Sequence, residues 1–231
     1  MLVIAHRSGP TVYPEQTVDS ALLAVKNGAD MVEIDLRFSS DGRIIVCHDD
    51  NAERVFGIDR SVNEMTAEEF ASLTHKDDPL HHGHLFADYI DAGVKPLLLH
   101  IKEGGENINA ILDFIVSKGY LENIIMGVTR PDDVARVKKY GKNIPVLAFI
   151  KNVQMIDDCI AEGAEFIRLW QGWVAEEYVE KIHSAGRKVW VMAGSSRNGD
   201  VGYIDDNAID YLKKIGIDGL LINDIGDFLK T

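Results

Sequence analysis

The chain has 231 residues, 46% of them hydrophobic and 26% charged, which is enough apolar mass for a packed core and too much for a disordered chain. Its formal net charge of −13 repels phosphate backbones and anionic bilayers, so neither nucleic acid nor membrane insertion is expected, while a small anion in a locally cationic cleft stays open. Two cysteines, Cys47 and Cys159, form no disulfide framework, and no apolar run suits a signal peptide or a spanning helix, so a cytoplasmic location is expected.

Leu2–Ala5 is a short apolar run and predicts a strand. Thr17–Asn27 carries Val18, Leu22 and Val25 on one helical stripe and stops at Gly28. Met31–Leu36 predicts a second strand. The turn residues Ser39-Ser40-Asp41-Gly42 send Arg43–Cys47 back as a hairpin arm, with Cys47 expected to be a buried, inert thiol. From about 49 to 94 the rhythm breaks. This stretch holds a predicted helix, Glu64–Leu73, and a polar segment with His75, His81, His82 and His84. Those histidines lack a fixed spacing and read as a solvated, mobile loop rather than a metal site.

Beyond the break, strands are predicted at Pro96–Ile101, Ile124–Val128, Pro145–Ile150, Phe166–Leu169, Lys188–Met192 and Gly219–Ile222. Helices are predicted between them at Asn107–Lys118, Pro131–Tyr140, Val153–Ala161, Ala175–Ala185 and Ile204–Ile215, closed by Gly119, Gly141, Gly163, Gly186 and Gly216. Eight strand–helix repeats favour a (β/α)8 TIM barrel, one domain over 1–231, with a short insertion after the second-strand hairpin, lying on the active face. No G-x-G-x-x-G follows the first strand, so a dinucleotide fold has little support.

Barrels carry their chemistry at the C-terminal ends of the strands. Those ends hold His6-Arg7, Glu33 and Asp35, His48 on the hairpin arm, and His100 with Lys102. Residues two apart share a face of a strand, so Glu33 projects with Asp35, and His100 with Lys102. Two carboxylates pointing into a barrel repel, at a cost on the order of several kcal/mol, unless a cation such as an oxygen-ligated divalent ion compensates. Each residue also has a plainer reading. Glu33 and Asp35 could form an outward solvated stripe, His6 could be a structural histidine, and Arg7 could simply pair with a carboxylate.

The joint spacing is more specific. His6-Arg7, Pro14-Glu15-Gln16-Thr17, Glu33-Ile34-Asp35 and His48-Asp49, followed by Arg54 and Gly57, then Lys102, then Gly216-Ile217-Asp218-Gly219-Leu220-Leu221-Ile222-Asn223-Asp224, resemble the glycerophosphodiester phosphodiesterase family over nearly the whole chain. The resemblance implies metal-dependent hydrolysis of small-molecule glycerophosphodiesters to glycerol 3-phosphate and an alcohol. It implies His6 and His48 as general acid and base, Arg7 and Lys102 as phosphate holders, and Glu33 and Asp35 as ligands of a magnesium or calcium ion.

The chain departs from the family pattern at four points. The family usually has Glu, its third metal ligand, where His100 stands; an imidazole there favours manganese or zinc, or leaves the ion on Glu33 and Asp35 with extra water, or weakens the site. Gly is usual at Ser8, Asn at Gln16, and Trp at Met192, for which Trp170 or Trp173 could substitute as an apolar wall or simply pack at the rim. Two alternatives follow: a catalytically weakened phosphate-ester-binding pseudoenzyme, and a lysophospholipase D-like phosphodiesterase. The latter needs an apolar patch at the mouth, of which the polar insertion gives little sign.

Overall fold

In the computed structural model, which describes residues 1–140, 143–195 and 200–228, the apolar runs become twelve strands. They are β1 Leu2–Ala5, β2 Met31–Phe38, β3 Ile44–Val46, β4 Thr74–His75, β5 Asp78–His82, β6 His84–Leu85, β7 Leu97–Ile101, β8 Ile124–Val128, β9 Val146–Ala148, β10 Phe166–Trp170, β11 Lys188–Met192 and β12 Gly219–Ile222. The parallel strands run β1-β2-β7-β8-β9-β10-β11-β12, and β12 returns to pair with β1, Ile222 opposite Ala5, so the sheet closes. It is the eight-stranded barrel of the TIM type. The last turn of β2 overshoots the barrel and pairs antiparallel with β3, Leu36 opposite Val46, and β3 in turn pairs with β6.

Strand alternation divides the apolar residues into two layers. Ile4, Met31, Leu98, Ile125, Leu147, Trp190 and Leu221 fill the barrel. Val3, Val32, Ile34, Leu97, Leu99, Ile167 and Leu220 point outward and pack under the helices. The helix Asn107–Ser117 buries Ile108, Ile111, Leu112 and Ile115, the stripe its spacing predicts. Val18–Lys26 starts where the Thr17 hydroxyl accepts a hydrogen bond from the Ser20 N–H at 3.2 Å. Gly119, Gly163, Gly186 and Gly216 all have positive φ, as helix-closing glycines should; Gly141 lies outside the described residues.

The region between β3 and β7 differs most from expectation. The predicted helix Glu64–Leu73 shortens to Ala67–Ala71, because Val62–Glu64 forms a separate 3-10 turn and Thr66 with Glu69 closes a capping box. Phe86–Asp91 is an unpredicted helix; it buries Phe86 and Tyr89, but six residues are too few for periodicity to declare. The region also has its own apolar cluster, Ile45, Cys47, Ala52, Phe56, Val62, Met65 and Phe70. The solvated histidine loop therefore needs correcting. His75 is buried with its ring 4.8 Å from that of Phe56, and His81 lies 3.3 Å from Asp19 and 3.0 Å from Asp78; His82 alone of the four is exposed. Cys47 is buried, and burial pushes its thiol up to about 12, which keeps it inert. Among the described residues no helix is long and apolar enough to cross a membrane.

Burial holds the His75 imidazole neutral, pulling it down to about 4 from 6.5. The unfolded chain therefore binds the extra proton first, and stability is full above pH 6.5 and drains away as pH falls toward 4. The melting temperature of wild type should fall more steeply over that window than that of His75→Gln; parallel curves would show that the buried imidazole carries no such linkage.

Candidate active site

The site begins at a strained turn. After β1 the chain enters a 3-10 turn, His6–Ser8, in which Arg7 has φ 47° and Ser8 φ 71°, and nearby Gln16 has φ 60°. Non-glycine residues in the left-handed region cost on the order of 1–3 kcal/mol each and persist only where contacts over-determine them. Here they do. The Arg7 backbone N–H donates to Glu33 Oε2 at 2.8 Å, and the Ser8 hydroxyl hydrogen-bonds the buried Tyr89 hydroxyl at 3.0 Å. Gln16 Nε2 donates to Asp35 Oδ2 at 2.6 Å while its own N–H reaches the Arg7 carbonyl at 3.0 Å. The glycine and asparagine usual at Ser8 and Gln16 in the family are residues that tolerate this backbone best.

Glu33 and Asp35 are each 1% exposed, which rules out the solvated-stripe reading. Each has one oxygen tied back by the contacts just described and a second turned to His100. Asp35 Oδ1 lies 2.8 Å and Glu33 Oε1 3.6 Å from His100 Nδ1, and Lys102 Nζ lies 2.9 Å from the same Asp35 oxygen. Burial alone would raise the Asp35 carboxyl, but Lys102 and the hydrogen bond from His100 override it and hold it well below the usual range. Ligand atoms of Glu33, Asp35 and His100 all fall within 4.8 Å of one another. Two carboxylate oxygens and one imidazole nitrogen converging in a buried space fit a single divalent ion. The His100 ring is itself fixed by stacking on Phe149, centroids 3.9 Å apart and planes 14° from parallel. Phe149 has that place because Gly127 has no side chain; a Cβ there would sit 2.5 Å from the Phe149 ring.

The two remaining histidines are pinned through Nδ1. Asn223 Nδ2 donates to the Val201 carbonyl at 3.0 Å, which turns its Oδ1 toward His6 Nδ1, 2.8 Å away. His6 must therefore carry its proton on Nδ1 and leave Nε2 as a lone pair. Burial, the largest influence, pulls His6 below its ordinary value and keeps it neutral. His48 Nδ1 meets Asp49 Oδ1 at 2.6 Å. Asp49 is gripped by Arg54, whose guanidinium also forks onto Glu15 at 2.6 and 3.0 Å, and Glu15 lies 3.3 Å from Arg7 Nη1. The hydrogen bond from His48, then that from Arg54, hold Asp49 far below the carboxylate range. Arg37 clamps the other side, donating from Nε and Nη2 to the His48 carbonyl at 3.2 and 3.0 Å while paired with Glu103.

All seven residues singled out in the sequence thus lie at the C-terminal mouth of the barrel or on the hairpin arm beside it. Gln16, Asn223 and the Glu15–Arg54–Asp49 chain carry positioning roles that sequence reasoning did not assign, although the motif contains most of them. Arg168 was missed altogether: inside Phe166–Trp170 it reads as one polar position in an apolar strand. Trp170 packs against the barrel interior, whereas Trp173 packs against the outer layer.

The sequence model of the glycerophosphoryl diester phosphodiesterase family matches residues 6–227. A glycerophosphodiester phosphodiesterase of Caldanaerobacter subterraneus subsp. tengcongensis is 31% identical over 126 residues, 53% of this chain and 44% of that protein. A human lysophospholipase D is 24% identical over 162 residues, 70% of this chain and 49% of that protein. The chain thus spans less than half the length of these curated relatives. Among solved structures, a phosphodiesterase of Oleispira antarctica in complex with the product sn-glycerol-3-phosphate superposes with a TM-score of 0.84 at 20% identity, covering 100% of this chain and 96% of that one. Glycerophosphodiester phosphodiesterase of Thermotoga maritima gives 0.79 at 22% identity, covering 100% and 97%. At these identities the two structures establish the fold.

The pinning of His48 is testable by itself. Nitrogen-15 NMR of the imidazole should show one tautomer, protonated at Nδ1, in wild type and a mixture in Asp49→Ala. An unchanged single tautomer in the variant would mean that Asp49 does not orient the ring.

Proposed function

Because the chain belongs to the glycerophosphoryl diester phosphodiesterase family, we propose that it hydrolyses small glycerophosphodiesters to glycerol 3-phosphate and an alcohol, using two histidines and one divalent ion. The observation that carries this reading is the division of labour around the carboxylates. Glu33 and Asp35 each spend one oxygen on the fold and offer the other beside His100, while His6 and His48, each fixed at Nδ1, present Nε2. We also read the chain as one barrel domain over 1–231, with about 49–94 as an insertion on the active face.

Glu33, Asp35 and His100 would hold the ion, which when bound supplies Lewis acidity toward the non-bridging phosphate oxygens. Arg7, whose buried Nε has no hydrogen-bond partner among the described residues, adds charge-assisted donors for those oxygens. Lys102, the first residue after β7, adds a point charge beside Asp35. His6, held neutral by burial, takes the proton from the nucleophile. In this reading the nucleophile is the substrate's own neighbouring hydroxyl, and a cyclic phosphate forms that water later opens. His48, with its positive charge balanced by Asp49, gives a proton to the departing alkoxide. Each such transfer is worth about 10²- to 10⁴-fold in rate.

A second reading, lysophospholipase D-like hydrolysis, has one observation in its favour. Val12, which is exposed, lines a cavity with Glu15 and Arg54, and Tyr13 beside it in sequence is also exposed and meets the His81 ring at a tilt, so this side of the site has more apolar surface than the sequence suggested. Comparing hydrolysis of lysophosphatidylcholine with that of glycerophosphocholine separates the two readings; a preference for the lipid would favour the second.

Glu33→Gln and Asp35→Asn should each lower metal-dependent turnover by at least about a thousandfold, the loss expected when a Lewis acid is no longer held, with melting behaviour near wild type. Full turnover by either variant would refute the ion site. Activity should also be greater with manganese, zinc or cobalt than with calcium or magnesium, since imidazole suits the former ions. A calcium optimum left intact by His100→Ala would overturn that assignment.

A further inference from the structure

Arg168 lies inside the barrel and has no part in the reaction proposed above. Its neighbours Ile167 and Leu169 face the outer layer, and Phe166 and Trp170 pack on the inner one, so Arg168 points inward. Its strand, β10, is four strands from β2 in either direction round the barrel, which puts it on the wall facing Glu33 and Asp35. The residue is 7% exposed. Its guanidinium carbon sits 4.7 Å from the Trp170 ring centroid and 5.3 Å from that of Phe149. Nε and Nη1 are buried without a hydrogen-bond partner, and among the described residues no carboxylate pairs with the group within 4.0 Å. Burial pulls it down to about 10, with the field of Glu33 acting the other way, so it remains a cation at neutral pH.

A buried cation with unused donors is costly to a fold, and the two aromatic faces and the field of Glu33 repay only part of that cost. An anionic ligand would supply the rest. We propose that Arg168 is a substrate-binding residue that donates to anionic oxygens of the ligand from the wall opposite the carboxylates, and that it turns the site against substrates whose alcohol carries an alkylammonium group. The first half follows from the unpartnered donors. The second follows from the aromatic faces: Phe149 and Trp170 would suit a quaternary ammonium group, but Arg168 already occupies both and adds like charge. The anionic oxygens have two possible sources, the phosphate common to all substrates or an acidic group on the alcohol. The proposal rests on the phosphodiesterase reading for its substrate class but not for its binding claim.

The test uses the metal-supplemented full chain as wild type, Arg168→Met and Arg168→Lys. Calorimetry with sn-glycerol 3-phosphate should show affinity about tenfold or more weaker in Arg168→Met, as for loss of a charge-assisted pair, with partial recovery in Arg168→Lys. In parallel, kcat/KM is measured on glycerophosphocholine, glycerophosphoglycerol and glycerophosphoinositol 4-phosphate. The ratio of choline to glycerol substrate should rise about fivefold or more in Arg168→Met, as a cation–π and like-charge effect predicts. An additional selective loss on the inositol phosphate assigns the contact to an acidic alcohol, and a similar loss on the glycerol and inositol phosphate substrates assigns it to the common phosphate. Unchanged affinity and an unchanged ratio in a folded Arg168→Met protein overturn the proposal while leaving the phosphodiesterase reading intact. Wild type that hydrolyses none of the three, yet shows the affinity difference, overturns that reading and keeps the binding claim. Should neither variant fold, tryptophan emission of wild type titrated with inorganic phosphate decides: a saturable change that Trp170→Phe assigns to Trp170 places the anion beside the Arg168 guanidinium and supports the proposal, and a change that survives in Trp170→Phe, or none, overturns it.

Discussion

Two carboxylates buried side by side on one strand are the constraint around which the mouth of this barrel is organised. Left alone they would repel in a medium that screens poorly. The chain meets the problem asymmetrically. One oxygen of each carboxylate is absorbed by local structure, through the Arg7 backbone N–H and the Gln16 amide, and these contacts hold three non-glycine residues in left-handed conformations. The strain of the turn after β1 and the position of the oxygens that face His100 are thus two sides of one arrangement. The other oxygens meet positive or polarisable groups, His100 and Lys102, arriving from the neighbouring strand. Register makes this possible, since Asp35 lies directly opposite His100 in the β2–β7 pair.

Much of this was legible in the sequence. Alternation on β2 and β7 was enough to place Glu33 with Asp35 and His100 with Lys102, because a strand's period leaves no other choice. The barrel followed from the repeat of apolar runs and helical stripes. What stayed hidden depended on distance along the chain. Asn223 meets His6 across 217 positions, and Arg168 faces a carboxylate on the opposite wall; no local pattern encodes either relation. Gln16 was visible as a departure from the family pattern but not as the residue orienting Asp35, since its role depends on a backbone φ that sequence does not declare. His75 was misread because a polar-looking segment was judged by composition, whereas its burial is supplied by Phe56 and the cluster behind it.

The two imidazoles illustrate how one residue type is given two characters. His6 is enclosed, and among the described residues its one side-chain hydrogen-bond partner is a neutral amide, so burial dominates and the ring stays uncharged. His48 sits on the hairpin arm outside the barrel, half-open to solvent, with an Asp49 carboxylate oxygen 2.6 Å from its Nδ1. That carboxylate is in turn held by Arg54, Glu15 and Arg7, a chain of alternating charge running back to the turn after β1. The turn therefore reaches both sides of the site: its backbone steadies Glu33, and its guanidinium ends the chain that steadies His48.

Charge balance ties the unusual residues together. An imidazole at position 100, where a carboxylate is usual in the family, removes a negative charge from the mouth. Arg168 adds a positive one on the facing wall. Both changes move the local field in the same direction, against a hard cation and toward an anion. Phe149 links them physically, with one face against His100 and its ring also within reach of the Arg168 guanidinium, and it can do so only because Gly127 leaves the space open. A site with three carboxylates competes strongly for calcium or magnesium and leaves little net attraction for an acidic ligand. On the proposed reading, a site with two carboxylates, an imidazole and an extra guanidinium gives up hard-ion affinity and gains affinity for anions. On that reading the imidazole at position 100 and the Arg168 guanidinium are one electrostatic adjustment, which ties residues as far apart in sequence as Gly127 and Arg168 to the same few ångströms of space.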